Sequence, residues 1–203
     1  MVKFICYYLS KVDDDCLVPD GWAEKLLFAH EANPEFGVIG CWHYREEDYN
    51  PEAANKKIFQ FKSGHCLMRN CWLGGSGYLI KRECIKQNGL ILEDEGFSNY
   101  CIRLAKKGWI NGWYYPFIYQ DHMDDPMSSN TQLKKDDDIV KWMPLSAINN
   151  GIDSIAKWNE LLRKDALFLQ RTNYDVKYHS GWRKSLKNLR VKIRNYIGDK
   201  RTW

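Results

Sequence analysis

Phe4-Ile5-Cys6-Tyr7-Tyr8-Leu9-Ser10-Lys11-Val12-Asp13-Asp14-Asp15 is the stretch on which the reading of the fold turns. From Val2 to Val12 it is dense in β-branched and aromatic residues, the pattern of a buried strand, and it stops at three consecutive carboxylates. Pro19-Asp20 then offers a helix start, with Trp22, Ala23, Leu26, Leu27 and His30 at helical spacing and Asn33-Pro34 as the stop. Phe36 to His43 reads as the next strand, so strand, acidic turn, helix and strand form one βαβ unit of an α/β domain.

Working outward, residues 44–57 are a polar excursion, and Ile58–Phe61 with His65–Arg69 suggest short strands or a hairpin around Ser63-Gly64. Gly74-Gly75-Ser76-Gly77 is a turn before Tyr78-Leu79-Ile80, followed by a short helix that Gly89 caps. Ser98 is a plausible N-cap for a helix carrying Phe97, Tyr100, Cys101, Leu104 and Ala105 on one face. Trp109 to Tyr119 reads as an aromatic strand leading to Asp121-His122, and from Asn149 onward Ile152, Ile155, Ala156, Leu162, Ala166 and Leu169 mark an amphipathic helix. The expected organisation is a domain over 1–145, a helical extension over 146–178 and a basic tail over 179–203.

Charge becomes informative once it is divided along the chain. The whole is +4, but residues 179–203 hold eight Lys or Arg against the single acid Asp199, so the tail is +7 and the remainder −3. Trp182, Leu186, Leu189, Ile193, Tyr196 and Ile197 form a helical stripe there, with Arg183, Lys184, Lys187, Arg190 and Arg194 around it. This pattern suits peripheral attachment to an anionic membrane, and equally a helix packed on the domain with its charges solvated. Nucleic acid is the weaker partner. Seven dispersed cysteines in a chain of 203 residues point to a reducing, cytoplasmic compartment, with any membrane contact peripheral and on the inner face. Neither a signal peptide nor an apolar span is read.

Three carboxylates at the carboxyl end of a buried strand repel one another, and open α/β sheets place ligands at that edge. A hard divalent cation such as Mg²⁺ or Mn²⁺, held by one or two carboxylates and substrate phosphates, would relieve them; a solvated turn beside a helix N-terminus is the alternative. Trp109, Trp113, Tyr114 and Tyr115 read as core aromatics first, and Trp72 does not. Cys66, Cys71 and His65 invite a zinc reading but lack a second ligand pair at a suitable spacing.

Lys11-Val-Asp-Asp-Asp-Cys-Leu-Val-Pro-Asp-Gly-Trp22 resembles the D-x-D segment of GT-A-fold glycosyltransferases of family 2. Gly74-Gly75-Ser-Gly-Tyr-Leu-Ile-Lys-Arg82 resembles that family's glycine-rich acceptor-side loop, and Glu93-Asp94-Glu95 with Cys101–Gly108 its acidic motif and following helix. Trp113 to His122 is similar to its strand ending in a metal-binding histidine. The ordered set covers about residues 2–125.

The resemblance implies an incomplete GT-A (Rossmann-like) mixed sheet flanked by helices, with a helical C-terminal extension. It also implies inverting, metal-dependent transfer of a sugar from a nucleotide-sugar donor to a glycan or lipid-linked acceptor. In its terms Asp13, Asp14 and Asp15 are donor-side residues, and Asp15, Asp13 and His122 hold Mn²⁺ or Mg²⁺. Gly74, Gly75 and Trp72 lie on the acceptor side, and Asp94, flanked by Glu93 and Glu95, is the first candidate base. Two departures stand out. The acids sit two or three positions further from Arg103 than the family pattern places them, with Asn99 where Asp is frequent, and Arg103 itself reads as their ion-pair partner. The resemblance also begins at the D-x-D strand, without the family's N-terminal nucleotide-binding part, so an open sheet edge, self-association or a completing partner chain is expected. A non-catalytic binding or scaffold remnant, and a metal-dependent phosphotransferase or hydrolase, are the alternatives.

Overall fold

The computed structural model describes residues 7–142, 147 and 151–179. Residues 2–6 of the first expected strand and residues 180–203 of the expected basic tail lie outside the described residues. The strands are β1 Tyr8–Lys11, β2 Cys16–Leu17, β3 Phe36–Gly40, β4 Ile58–Gln60, β5 Cys66–Asn70, β6 Tyr78–Lys81, β7 Ile110–Tyr115 and β8 Asp121–His122. The helices are α1 Trp22–Ala32, α2 Pro51–Ala54, α3 Arg82–Asn88, α4 Phe97–Lys106, α5 Asp136–Trp142 and α6 Ile155–Arg171.

Six strands form one mixed sheet in the order β1-β6-β3-β7-β5-β4, and β2 pairs with β8 as a separate two-stranded ribbon. β3 runs parallel to β7, while β6 is antiparallel to both β1 and β3 and is inserted between them. The βαβ unit is therefore present as chain direction but not as adjacent strands. β1 is an edge of the sheet, where Leu9 is 45% exposed.

Side-chain alternation explains why helices cover both faces. Val38, Met68, Ile80 and Trp113 join one buried cluster with Tyr100, Cys101 and Leu104 of α4 and Ala166 and Leu169 of α6. Their chain neighbours Ile39, Leu67, Leu79 and Tyr114 join the other, with Leu26 and Ala29 of α1. Each strand thus feeds two cores at a period of two, and burial on both sides is what a near-continuous apolar strand requires. The segment set apart in sequence as 146–178 contributes its helix to the first of these cores. Among the described residues no helix is long and apolar enough to cross a membrane, and the six described cysteines are free.

Several boundaries move for physical reasons. Helix α4 begins at Phe97 with Gly96 as its cap, and Ser98 lies inside it. The Phe97 ring stacks on Tyr78 at 4.4 Å, docking the first turn two residues early. Helix α1 starts at Trp22 behind Gly21, which takes the left-handed φ of 72°. The long aromatic strand is interrupted after Tyr115, where Pro116 has no N–H to give, and resumes only as an isolated bridge between Tyr119 and Trp42. The polar excursion of 44–57 is ordered as a 3-10 turn over Glu46–Asp48, helix α2 and a second 3-10 turn over Asn55–Lys57.

Candidate metal centre and its cavity

The acidic triplet is held by what precedes and follows it. Asp13 N donates to Ser76 Oγ at 2.9 Å, Gly77 N to Lys11 O at 2.8 Å, and Cys16 N closes a turn onto Asp13 O at 3.1 Å. Gly77 makes this contact between two loops feasible. Its φ is +64°, and an added Cβ would lie 1.8 Å from Gln120 Oε1. The glycine-rich loop therefore fixes the acidic turn through Ser76 and Gly77, while Gly74 lies against the His43 ring and Gly75 faces open space.

The ribbon of β2 and β8 then does what sequence distance conceals. It sets Cys16 opposite His122 and Leu17 opposite Asp121, and Met123 N donates to Asp15 O at 2.8 Å. As a result His122 Nε2 stands 3.7 Å from Asp15 Oδ2. Asp15, Cys16 and His122 form a group whose possible ligand atoms lie within 4.8 Å of one another. Asp13 is not in that group. Its carboxylate pairs with Lys11 at 2.5 Å, and Asp14 is exposed.

The thiol of Cys16 donates to Asp15 Oδ1 at 3.4 Å, and burial is the main cause pushing its pKa up to about 11. It is a protonated donor, not a thiolate, at neutral pH. His122 Nδ1 accepts from Asp124 N at 3.2 Å. In the neutral ring this leaves the proton on Nε2, so ligation through Nε2 uses the other tautomer and gives up the Asp124 contact. The neighbouring acids have separate tasks. Asp121 accepts from Ser128 Oγ and Asn130 Nδ2, and Asp125 is gripped by Arg45 through two guanidinium nitrogens.

Asp15 and His122 open into a cavity of about 460 Å³ that is also lined by His43, Tyr44, Asp48, Asp124, Asp125 and four residues of α6, Trp158, Leu161, Leu162 and Asp165. Helix α6 is tied to this rim by polar contacts: Trp158 Nε1 donates to Asp124 O at 2.7 Å, and Arg45 reaches Asn159 Oδ1 at 2.5 Å. Burial pushes His43 down to about 4, with His122 as the lesser cause. Sequence reading had not singled out His43, Tyr44, Asp48 or Asp165. No motif surrounds them, and their common ground is a cavity wall assembled from distant segments.

The other expected residues fall elsewhere. Glu95 takes a bidentate ion pair from Arg103, at 2.9 Å from Nε and 2.5 Å from the second nitrogen. Arg103 also donates to Asn88 O and to Leu90 O, so the ion pair expected from sequence serves as the anchor of the whole acidic loop. Glu93 and Asp94 are exposed, and none of the three acids lines the cavity. Trp72 is half-buried against the first core and meets His179 edge-on at 5.2 Å, rather than presenting a free face. Cys66, Cys71 and His65 do not converge: Cys71 donates to Tyr174 O, while His65 Nδ1 is 3.1 Å from the Tyr114 hydroxyl. Compared with protein-family models and with curated proteins, the chain matches none.

Proposed function

We propose that the chain carries the divalent-metal site of an inverting, nucleotide-sugar-dependent glycosyltransferase, with Mn²⁺ or Mg²⁺ held by Asp15 and His122. The observation that carries this reading is the 3.7 Å approach of an acidic-turn carboxylate and a strand-end imidazole at the mouth of one cavity. The donor set fits the group. One carboxylate oxygen and one imidazole nitrogen, both partly exposed at 39% and 30%, leave coordination positions for water and phosphate oxygens. Cys16, whose thiol donates to Asp15 Oδ1, orients that carboxylate. When bound, the cation would offset the charge that gathers on a departing diphosphate.

The rest of the chemistry belongs to the protein's own groups. Ser76 and Gly77 hold the acidic turn in place, and His122 is positioned by its ladder with Cys16. An acceptor hydroxyl must lose a proton, and we assign that task to Asp94. Glu95 is committed to Arg103. Asp94 sits on the loop that leads to Phe97, whose ring stacks on Tyr78, the residue opposite Lys11 in the β1–β6 register. The acidic loop and the acidic turn are thereby brought to one end of the sheet. Asp13 and Asp14 keep their proposed donor-side places, and Gly74 and Gly75 their proposed acceptor-side ones.

A thermal-shift panel of nucleotide sugars, with and without Mn²⁺, tests the assignment. A cognate donor at about 100-fold its Kd should raise Tm by about 5–10 °C for a chain of this size. That rise is expected only with metal present and should vanish in Asp15→Ala. A shift of equal size without metal, an unchanged shift in Asp15→Ala, or no shift with any donor would overturn it.

A further inference from the structure

Gln120 is a buried polar residue that the site as described does not use. It is 4% exposed and stands at the end of the aromatic run, two residues before His122. Its backbone N–H donates to Trp42 O at 2.8 Å, which fixes the main chain there. The side chain crosses to the glycine-rich loop, where Nε2 donates to Ser76 Oγ at 3.2 Å. The same Ser76 oxygen accepts from Asp13 N at 2.9 Å. Three segments thus meet at one hydroxyl: the approach to β8, the glycine-rich loop and the start of the acidic turn.

At the other end of the amide, Oε1 has no hydrogen-bond partner among the described residues. It lies 1.8 Å from the position of the Cβ that Gly77 lacks, so it fills the space a side chain there would need. A buried acceptor without a donor destabilises the fold, and an apolar side chain of the same length carries no such cost. Filling volume therefore does not account for an amide at this position, whereas holding Ser76 does.

The contact matters because of how Asp15 is otherwise held. The ladder of β2 with β8 and the bond from Met123 N to Asp15 O fix the turn on its C-terminal side. On its N-terminal side Gly77 N holds Lys11 O, and the last fixed point before Asp15 is Asp13 N on Ser76 Oγ. Gln120 orients that acceptor. Asp15 lies between the two anchorages, so its carboxylate keeps one direction toward His122 only while both are made. Burial raises the pKa of Cys16, and Ser76 and Gln120 pull it back down, which places both side chains beside the thiol that donates to Asp15 Oδ1.

We propose that Gln120 is a positioning residue of the metal centre: by holding Ser76 Oγ as the acceptor for Asp13 N, it locks the acidic turn to the approach of β8 and so sets the spacing of Asp15 and His122. This rests on the metal reading for its function, and on hydrogen-bond geometry alone for the coupling. Two ligands carried by separate segments hold an ion in register only when outer contacts fix both, and losing such a contact typically weakens metal binding about 10–100-fold.

Gln120→Met removes the amide and keeps the length of the side chain, and the test uses the full chain labelled with ¹⁵N. Without metal, hydrogen exchange of the Asp13 amide should be about tenfold faster in Gln120→Met than in wild type. Ser76→Ala, the second variant, should show the same change, and the amides of β3 and β6 should be unaltered in both. Mn²⁺ titrated into the same samples should bind about tenfold more weakly to Gln120→Met, while its Tm stays at or above the wild-type value because the unpartnered Oε1 is gone. A residue that only supports the fold would move Tm and leave the affinity of the folded protein alone. Unchanged Asp13 exchange in Gln120→Met, wild-type Mn²⁺ affinity in that variant, or weaker binding together with a lower Tm and faster exchange across β3 and β6 would overturn the proposal. If wild type binds no Mn²⁺, the metal centre is rejected, and the coupling is decided by Asp13 exchange without metal.

Discussion

His30 shows how one side chain couples this fold to pH. It is 1% exposed, its Nε2 lies 3.1 Å from Leu79 O, and burial holds its pKa down at about 3. The folded state therefore keeps the ring neutral while the unfolded chain protonates it near pH 6.5. Between those values the unfolded state binds more protons, so this residue's contribution is intact above pH 6.5 and is lost as pH falls toward 3. The Cε1 proton of His30 should show no titration between pH 7.5 and 4.5 by NMR. In urea unfolding, wild type should lose stability relative to His30→Asn over the same descent. A His30 resonance that titrates near 6.5 would contradict the burial argument.

Among elements, the acidic loop depends on a single guanidinium. Arg103, from the last turn of α4, reaches Glu95, Asn88 O and Leu90 O, and its side chain is 28% exposed. Arg103→Ala should cost about 1–3 kcal/mol, since it frees two carbonyls and a carboxylate together. The loss should fall first on residues 88–95, read as faster amide exchange there and as new protease cleavage, while β3 and β7 keep their protection. Uniform loss of protection across the sheet would mean that the loop is not a separate unit.

This element was half legible in the sequence. The charge complementarity of Arg103 and Glu95 could be read from spacing, but its use of Asn88 and Leu90 carbonyls could not. The same limit applies to the candidate site. Asp15 and His122 were visible as a strand-end acid and a strand-end histidine, whereas the ribbon that joins them is two residues long on each side and carries no periodic signal. Asp48 was invisible because its partners are Gln170 and Arg163, more than a hundred positions away. The core was easier, since Val38 and Ile39, or Leu67 and Met68, sort to opposite faces by alternation alone.

At the scale of the whole molecule, the acidic turn, the ribbon and helix α6 converge on one cavity although they are far apart in the chain, and the glycine-rich loop holds the acidic turn from behind. Gln170, Trp158 and Asn159 fasten α6 to that cavity, and Ala166 and Leu169 fasten it to the main core. The site is thus supported by packed elements instead of by loops alone, which is what a metal centre needs to hold its ligands in register. Lys11 neutralises Asp13, so the three carboxylates of the triplet are not equivalent. Electron paramagnetic resonance of Mn²⁺ titrated into the full chain tests this most directly. The account predicts a bound-metal signal in wild type and in Asp13→Asn, with at least about tenfold weaker binding in Asp15→Asn and in His122→Ala. Retention of full affinity in Asp15→Asn, or its loss in Asp13→Asn alone, would contradict it.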